Sequence, residues 1–160
     1  MTPRSVVLSA GETAALRDEL IALCAQAFCG APWHEPPRGA LRTVERLLVR
    51  AAGQPGFSCV AAFDPDGALA GLAAGWLDSA LSGGDETFEL AELVVAPAHQ
   101  GRGLGRTLHD ALLATAPVPR LLMTLDTSEL RDRYERWGWD VVERRRPEKD
   151  PRDFVVMRHA

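Results

Sequence analysis

Hydrophobic and polar positions along this chain follow two periods, one typical of α-helices and the other of β-strands. Helical spacing of apolar residues predicts helices from a capping box at 9–12 to Phe28, and at 39–52, 104–115 and 130–137. Runs typical of strands cover 5–8, 57–63, 68–77, 90–95, 120–126, 141–145 and 154–158. The predicted order is β-α-α-β-β-β-α-β-α-β-β, an α/β fold of about seven strands and about four helices in a single domain over residues 1–160.

Glycine and proline mark the connections between these elements. The run 64–67, Asp-Pro-Asp-Gly, separates two predicted strands and indicates a tight hairpin. Three prolines within 30–37 exclude regular structure there, so this stretch is a loop between the first two helices. The polar stretch 79–86 predicts a further connection.

The most informative stretch is 90–116, which predicts a short strand, a turn with proline, a glycine-rich loop and an amphipathic helix. A helix leaves its first N–H groups without partners, and a Ser, Thr, Asp or Asn side chain normally accepts hydrogen bonds from them. Here Gly101, Gly103 and Gly105 surround the helix start, and Asp110 is the first acid. An uncapped start of this kind suits an anion, above all a phosphate group.

These glycines also fit structures that bind no diphosphate, and two other phosphate-binding motifs. A flexible loop, or a turn that lets the helix pack closely on its strand, requires glycine as well. A P-loop requires G-x-x-x-x-G-K-[ST], and no lysine follows these glycines. A dinucleotide fingerprint requires a third glycine where Arg106 stands, but Asp126 could imitate the acid that binds the ribose, so this alternative stays open.

The segment 95–105, VAPAHQGRGLG, resembles the acyl-CoA pyrophosphate loop of the GNAT superfamily of N-acetyltransferases, [QR]-x-x-G-x-[GA]. Gln100, Gly103 and Gly105 stand at the fixed positions of that pattern. The segment 134–139, YERWGW, resembles the family's Y-x-x-x-G-[FW] segment, and the element order agrees along essentially the whole chain. The resemblance implies a GNAT-type mixed, mostly antiparallel sheet flanked by helices, in an enzyme that uses acetyl-CoA as cosubstrate.

The same resemblance implies where acetyl-CoA would bind. A backbone N–H near Val94 would bind the thioester oxygen, and Val95 would pair with the pantetheine arm as an additional strand does. The implied cofactor-binding residues are Leu93, Val94, Val95, Gln100, Gly101, Arg102, Gly103, Leu104, Gly105 and Arg106. Asp126 and Ser128 stand where many family members have an asparagine that bonds the pantetheine, so we expect different contacts to the thiol arm here.

Acetyl transfer to an amine needs a base for the ammonium proton and an acid for the departing thiolate. The resemblance implies that Tyr134 is the acid, although its spacing with Leu130 and Trp137 is also typical of a core residue. Glu92 and Glu89 are the candidate bases, because a carboxylate on an apolar strand is unexpected unless it faces a cleft or a cation. Their spacing puts them on opposite faces of a regular strand unless a bulge intervenes, and Glu92 is preferred, with a water chain as the alternative.

The loop between the first two helices resembles the family's acceptor-gating segment, which implies substrate-binding roles for Trp33, His34 and Glu35. Packing between the helices for Trp33 and simple exposure for His34 are the alternatives. Several acids are expected near the cleft and favour a cationic amine, either a small molecule or a peptide. These acids are Glu35, Glu86, Glu89, Glu92 and Asp126.

Composition narrows the partners. A net charge of -4 gives no general attraction to nucleic acid or to anionic membranes. The three cysteines, Cys24, Cys29 and Cys59, lack metal-ligand spacing, so we expect buried thiols, no metal site and a reducing, cytoplasmic location. Neither a targeting signal nor a long apolar run is recognised. His99 and His109 are expected to be exposed, and a homodimer through the C-terminal edge strands stays open.

Three functions agree with these features. The leading interpretation is an acetyl-CoA-dependent N-acetyltransferase that joins a primary amine and the thioester by direct attack in a ternary complex. A non-catalytic acyl-CoA-binding sensor or interaction module would use the same loop chemistry. A dinucleotide-binding protein would show affinity for NAD and none for acetyl-CoA.

Overall fold

A seven-stranded sheet forms the centre of the molecule in a computed structural model that describes residues 3–160. Its strands are β1 Arg4–Val7, β2 Ser58–Phe63, β3 Leu69–Asp78, β4 Thr87–Val95, β5 Arg120–Leu125, β6 Trp139–Arg145 and β7 Phe154–His159. They lie in the order β1-β2-β3-β4-β5-β7-β6, and every described pair is antiparallel except β4–β5. The predicted mixed, mostly antiparallel sheet of seven strands is confirmed.

Five α-helices pack on the two faces of this sheet. They are α1 Ala10–Ala15, α2 Arg17–Phe28, α3 Pro37–Gly53, α4 Leu104–Leu113 and α5 Ser128–Arg136. The predicted first helix is divided at Leu16, whose φ of -96° and ψ of 17° are not helical. Its apolar spacing continues across the break, with Thr13, Leu20 and Leu23 buried, so periodicity alone predicts one helix.

The start of α1 confirms the capping box. The backbone N–H of Glu12 donates to Ser9 Oγ at 3.0 Å, and the backbone N–H of Ser9 donates to the Glu12 carboxylate at 2.9 Å. The box satisfies two N–H groups that the helix itself leaves without partners.

Each face of the sheet carries its own hydrophobic core. On one face α4 contributes Leu104, Leu108 and Leu112, which pack with strand residues such as Phe88 and Met157. On the other face α2 and α3 pack on the strands, with Leu20, Leu23, Val44, Leu47 and Trp76 at the centre. The apolar stripes that predicted these helices are therefore the surfaces that bury them against the sheet.

The parallel pair β4–β5 separates after its first residues. Only Phe88 with Arg120 and Glu89 with Leu121 are in register, and beyond them the two strands diverge. The Arg120 side chain bonds the carbonyls of Leu113 and Ala116, at 2.9 and 3.1 Å, at the end of α4. The carboxyl ends of β4 and β5 therefore leave a gap in the middle of the sheet, open to both faces.

Two sequence-based expectations about individual side chains are wrong. His109 is not exposed: it is only 1% accessible, and its Nε2 accepts the indole N–H of Trp139 at 2.9 Å. The buried indole needs an acceptor, and a helix position beside Leu108 supplies it. Cys29 is exposed at the end of α2, whereas Cys24 and Cys59 are buried as expected. In the described part of the chain, no helix combines the length and apolarity needed to cross a membrane.

Gly71 marks the closest approach of α4 to the sheet, and its replacement should lower stability. A Cβ there would lie 2.9 Å from Leu108 Cδ1 and 2.9 Å from the carbonyl oxygen of Val94. Because one of these neighbours is backbone, we expect Gly71→Ala to lower the free energy of unfolding by about 1–3 kcal/mol. Urea denaturation monitored by circular dichroism measures this.

Gly53→Ala is the matched control for this prediction. Gly53 ends α3, and a Cβ there meets nothing within 4 Å. Its replacement should therefore leave stability unchanged or raise it by up to about 1 kcal/mol. Equal destabilisation by both substitutions would contradict the close approach at Gly71.

Candidate active site

The first cavity lies between the diverging strands on the face of α4 and has a volume of about 460 Å³. Its walls come from the end of β4, the glycine-rich loop, the start of α4, α5 and the loop after α2. Of the predicted cofactor-binding residues, those lining it are Leu93, Val94, Val95, Gln100, Gly101, Gly103, Leu104, Gly105 and Arg106. Arg102 lines neither this cavity nor the second one and is exposed.

The start of α4 faces this cavity without a side-chain cap. Gly103 occupies the N-cap position with a φ of 82°, in the left-handed region that favours glycine. No side chain accepts from the first N–H groups, and the first turn contains no acid. The backbone N–H groups and the helix dipole therefore leave a positive end that suits a diphosphate.

The nearest acid is held one turn away from these N–H groups. Arg106 Nε donates to both carboxylate oxygens of Asp110, at 3.0 Å each, and His109 Nδ1 lies 2.8 Å from the same carboxylate. The Arg106 guanidinium also lies over the ring of Trp137, 5.6 Å from its centroid. Asp110 is thus engaged by its own helix and does not block the site.

The exposed backbone edge of β4 is the second feature of this cavity. Ala96 donates its N–H to Ala70 on β3, and alternate residues of an antiparallel strand bond to the same neighbour. The N–H of Val94 therefore points to β3, whereas those of Leu93 and Val95 face the gap left by β5. Gln100 Nε2 donates to the carbonyl of Val95 at 3.0 Å, which closes the edge where the loop begins.

The second cavity lies on the opposite face of the sheet and has a volume of about 220 Å³. Glu35, Glu92, Arg46 and Arg152 provide its charged groups. The residues that line both cavities are Phe28, Trp33, Leu93 and Tyr134. The gap between β4 and β5 therefore joins the two cavities around Leu93 and Tyr134.

A β-bulge decides how the two candidate bases are oriented. Ala74 of β3 pairs with Glu92 and Gly75 pairs with Leu90, so Ala91 is an additional residue in β4. Because one residue is inserted, side chains three positions apart point to the same face. Glu89 and Glu92 both face α3, but only Glu92 lines the second cavity.

Glu92 is largely buried, with 11% of its side chain exposed, beside a single cation. Burial raises the pKa of this carboxyl to about 7, although Arg46, whose NH2 lies 3.2 Å from Oε1, favours the charged form. Burial also raises the pKa of Glu89. A carboxyl with a pKa of about 7 exchanges its proton near neutral pH, as a general base must.

Tyr134 is buried on α5 at the junction of the two cavities. Its ring packs edge-on against Trp137, with centroids 5.5 Å apart. Burial raises the pKa of the phenol to about 12, and the nearby Glu92 raises it further while Arg133 opposes this. Among residues 3–160 the hydroxyl has no hydrogen-bond partner, so it is a donor available to a ligand between the cavities.

The predicted acceptor loop is only partly at the site. Trp33 lines both cavities, and Glu35 lines the second one, where its Oε1 lies 3.5 Å from Arg152 NH1. His34 lines neither cavity and is exposed, with a φ of 46°. Glu35 is therefore part of an ion pair with a loop far along the chain.

The expectation of an acidic cleft is wrong. Glu86 is exposed outside both cavities, and Asp126 forms ion pairs with Arg131 and Arg144. The two acids that line the second cavity are matched by two arginines. Sequence patterns do not indicate Arg46 and Arg152, because both pairings join segments that are far apart in the chain. The described residues contain no group of three or more His, Cys, Asp or Glu arranged to hold a metal ion.

Comparisons with known proteins agree with this arrangement. The family model described as Acetyltransferase (GNAT) family matches residues 20–139. The described fold is similar to the structure of histone acetyltransferase HPA2 and related acetyltransferase from Corynebacterium glutamicum, with a TM-score of 0.72, 17% identity and coverage of 99% of this chain and 96% of that one. No curated protein matches the chain in sequence.

Two further solved structures share the fold. The PaiA N-acetyltransferase of Thermoplasma acidophilum, in complex with coenzyme A, has a TM-score of 0.65 and 18% identity, and 99% of each chain is covered. Arabidopsis thaliana NAA60, in complex with a bisubstrate analogue, has a TM-score of 0.64 and 15% identity, with 99% of this chain and 97% of that one covered. At these identities, the likeness concerns the fold.

An acid placed in the first turn of α4 should weaken coenzyme A binding without weakening the fold. Gly105 lies in that turn, and a Cβ there would make only ordinary contacts, at 3.6 Å or more. In Gly105→Asp the carboxylate stabilises the helix start but repels a diphosphate. We expect its dissociation constant for coenzyme A, measured by calorimetry, to rise at least about tenfold relative to Gly105→Asn, which corresponds to about 1.4 kcal/mol.

Gly105→Asn is the control because it has nearly the same volume without the charge. Thermal unfolding of the two variants should show equal or higher stability for Gly105→Asp. Equal affinity of the two variants for coenzyme A would contradict a diphosphate site at these N–H groups.

Proposed function

Since this chain belongs to the acetyltransferase (GNAT) family, whose members take the acetyl group from acetyl-CoA, we propose that it acetylates a primary amine. The reaction is a direct attack of the amine on the thioester in a ternary complex, within one domain that comprises residues 1–160. The acceptor is a small molecule or a peptide with a free amine. The coenzyme A bound to the Thermoplasma acidophilum relative supports the choice of cosubstrate.

One observation carries this proposal: two cavities on opposite faces of the sheet meet at Leu93 and Tyr134. A ligand in each cavity would bring its reactive end to the gap between β4 and β5. Direct attack requires the amine and the thioester carbon to lie about 3–3.5 Å apart in line, and two sites joined at one point supply that proximity. A binding module for acyl-CoA alone has no need of the second cavity.

In this proposal the diphosphate binds the N–H groups at the start of α4, around Gly103. The pantetheine arm then extends along β4 and pairs with the N–H of Val95, as an added strand does. This register brings the thioester oxygen to the N–H of Leu93, which acts as an oxyanion donor when the carbonyl carbon becomes tetrahedral. Val94 contributes its position in the strand and not its N–H, which points to β3.

Glu92 serves as the base in the second cavity. It accepts a proton from the ammonium ion, directly or through water, and the free amine attacks the thioester carbon. The tetrahedral intermediate loses a second proton from nitrogen and collapses as the C–S bond breaks. The products are the amide, coenzyme A and one released proton.

Tyr134 serves as the acid for the leaving thiolate. A phenol with a pKa of about 12 is fully protonated at neutral pH, so its proton is present when the C–S bond breaks. Complete transfer to a thiolate of pKa ~8.5 is unfavourable by roughly 5 kcal/mol. Tyr134 therefore stabilises the developing thiolate mainly as a hydrogen-bond donor, and water completes the proton transfer.

The proposed function is tested by acetyl-CoA consumption with a panel of primary amines, together with calorimetric binding of acetyl-CoA and NAD. Turnover with at least one amine supports an N-acetyltransferase. Tight binding of acetyl-CoA without turnover across the panel would favour the non-catalytic module instead. Affinity for NAD and none for acetyl-CoA would overturn the whole proposal.

The pH dependence of turnover should report Glu92. Its pKa of about 7 lies above the ordinary value, so the carboxyl is protonated and inactive as a base below neutrality. We expect kcat/KM to rise tenfold per pH unit up to about 7 and then level off. Glu92→Gln should lower the plateau about 10²- to 10⁴-fold and remove this limb, measured by initial rates from pH 5.5 to 9.

Glu89→Gln is the control for this prediction, because Glu89 lies on the same face of β4 but outside the cavity. It should keep the limb and most of the activity. A Glu92→Gln enzyme with an unchanged pH profile would indicate a water chain or another base.

Removal of the Tyr134 hydroxyl should lower kcat and leave the cofactor in place. We expect Tyr134→Phe to lose about 10²-fold in kcat, because the leaving thiolate loses its donor. The dissociation constant of acetyl-CoA should stay within about twofold, since the hydroxyl bonds no protein group that shapes the cavity. A variant that loses binding and kcat together would point to a structural role in the core.

A further inference from the structure

Four arginines follow one face of α3 at intervals of four residues. They are Arg38, Arg42, Arg46 and Arg50. Residues four apart on a helix are neighbours on its surface, so the side chains form a continuous basic stripe. The stripe is unexpected on a protein of net charge -4 and is not used by the acetyl-CoA site.

The inner part of the stripe is paired with acids of the sheet, and the outer part is not. Arg46 pairs with Glu92 at 3.2 Å, and Arg50 pairs with Asp78 at 3.1 Å. Arg38 and Arg42 are exposed, and neither has an ion pair with another residue of the range 3–160. Two cations are therefore available at the end of the stripe that lies nearer the start of α3.

A groove of about 530 Å³ runs beside this stripe. Arg42, Arg46 and Arg50 line it, and Val49, which is 71% exposed, supplies an apolar surface. Glu45 is its one acid among the described residues, and its carboxylate lies 3.8 Å from Arg17. The groove therefore suits an aliphatic or peptide chain that carries a negative charge.

Arg46 lines both this groove and the acceptor cavity, which is the second cavity described above, so the two spaces adjoin. The acceptor cavity, at about 220 Å³, is smaller than the range of about 300–1,000 Å³ typical of small-molecule sites. It holds the amine end of an acceptor, and the remainder of the molecule extends outward. The groove along α3 is the adjoining space that is lined by cations.

We propose that the acceptor carries a carboxylate remote from its amine, and that Arg42 binds this carboxylate while the amine lies beside Glu92. This inference rests on the proposed acetyltransferase function and specifies its substrate class. Arg42 and Arg46 are about 6 Å apart along the helix axis. The carboxylate therefore lies several bonds from the amine, as in an ω-amino acid or in a peptide with an acidic side chain.

The test compares amines that differ only in this charge. The probes are 6-aminohexanoate with its amide, and alanyl-glutamate with alanyl-glutamine. At low ionic strength we expect the acid of each pair to have a kcat/KM about fivefold higher, the effect of one exposed ion pair. The preference should decrease at 0.5 M salt because the interaction is screened. A preference in one pair alone identifies the source of the carboxylate.

Arg42→Glu and Arg38→Glu form the matched pair of variants. Both change the net charge equally and lie one turn apart, but only Arg42 lines the groove. Arg42→Glu should abolish or invert the preference for the acids through KM and keep kcat for the amides, whereas Arg38→Glu should keep the preference. Equal use of acid and amide by the unaltered protein, or equal effects of both variants, would overturn the inference.

The outcomes also separate this inference from the proposed function. Turnover of other amines, with no preference for the remote carboxylate, would leave an acetyltransferase and remove the role of Arg42. Absence of turnover with every amine would remove the proposed function and, with it, the inference.

Discussion

The early end of hydrogen bonding between β4 and β5 is the constraint on which the site depends. Two residue pairs hold these parallel strands together, and beyond them the backbone of β4 has an open edge in the middle of the sheet. Unpaired N–H groups in a protein interior are costly, so such an edge is a place where a ligand with its own donors and acceptors is expected. The bare start of α4 lies at the end of the same edge, so one extended molecule could satisfy both.

The balance of charge across the sheet follows from which groups are buried. Glu92 loses hydration, and its single contact with Arg46 compensates only in part, so its pKa rises to about 7. Glu35 and Arg152 repeat the pattern at the other wall of the same cavity. The second cavity is therefore nearly neutral in sum but carries separated charges. Such a site can discriminate among amines by where their other charges lie.

Local features of this protein follow from residue patterns, whereas long-range contacts do not. The seven strands, the capping box at Ser9 and the glycine-rich helix start are local, and each is predicted from residues close in sequence. Leu16 divides the first helix although the apolar spacing continues, because periodicity reports which face is buried and not the backbone angles. His109 is buried because Trp139, thirty positions away, needs an acceptor, and no local pattern contains that requirement.

The sequence by itself determined the element order, the faces that each element buries and the absence of a side chain that could cap α4, since these follow from spacing and residue type. Only the tertiary structure decided that Glu89 and Glu92 share a face, because the bulge at Ala91 is a matter of pairing with β3. It also decided that Arg46 and Arg152 stand opposite the acids of the second cavity and that Tyr134 lies where the two cavities meet. Contacts between segments distant in the chain depend on how strands register and helices dock, and that information resides in the packed fold.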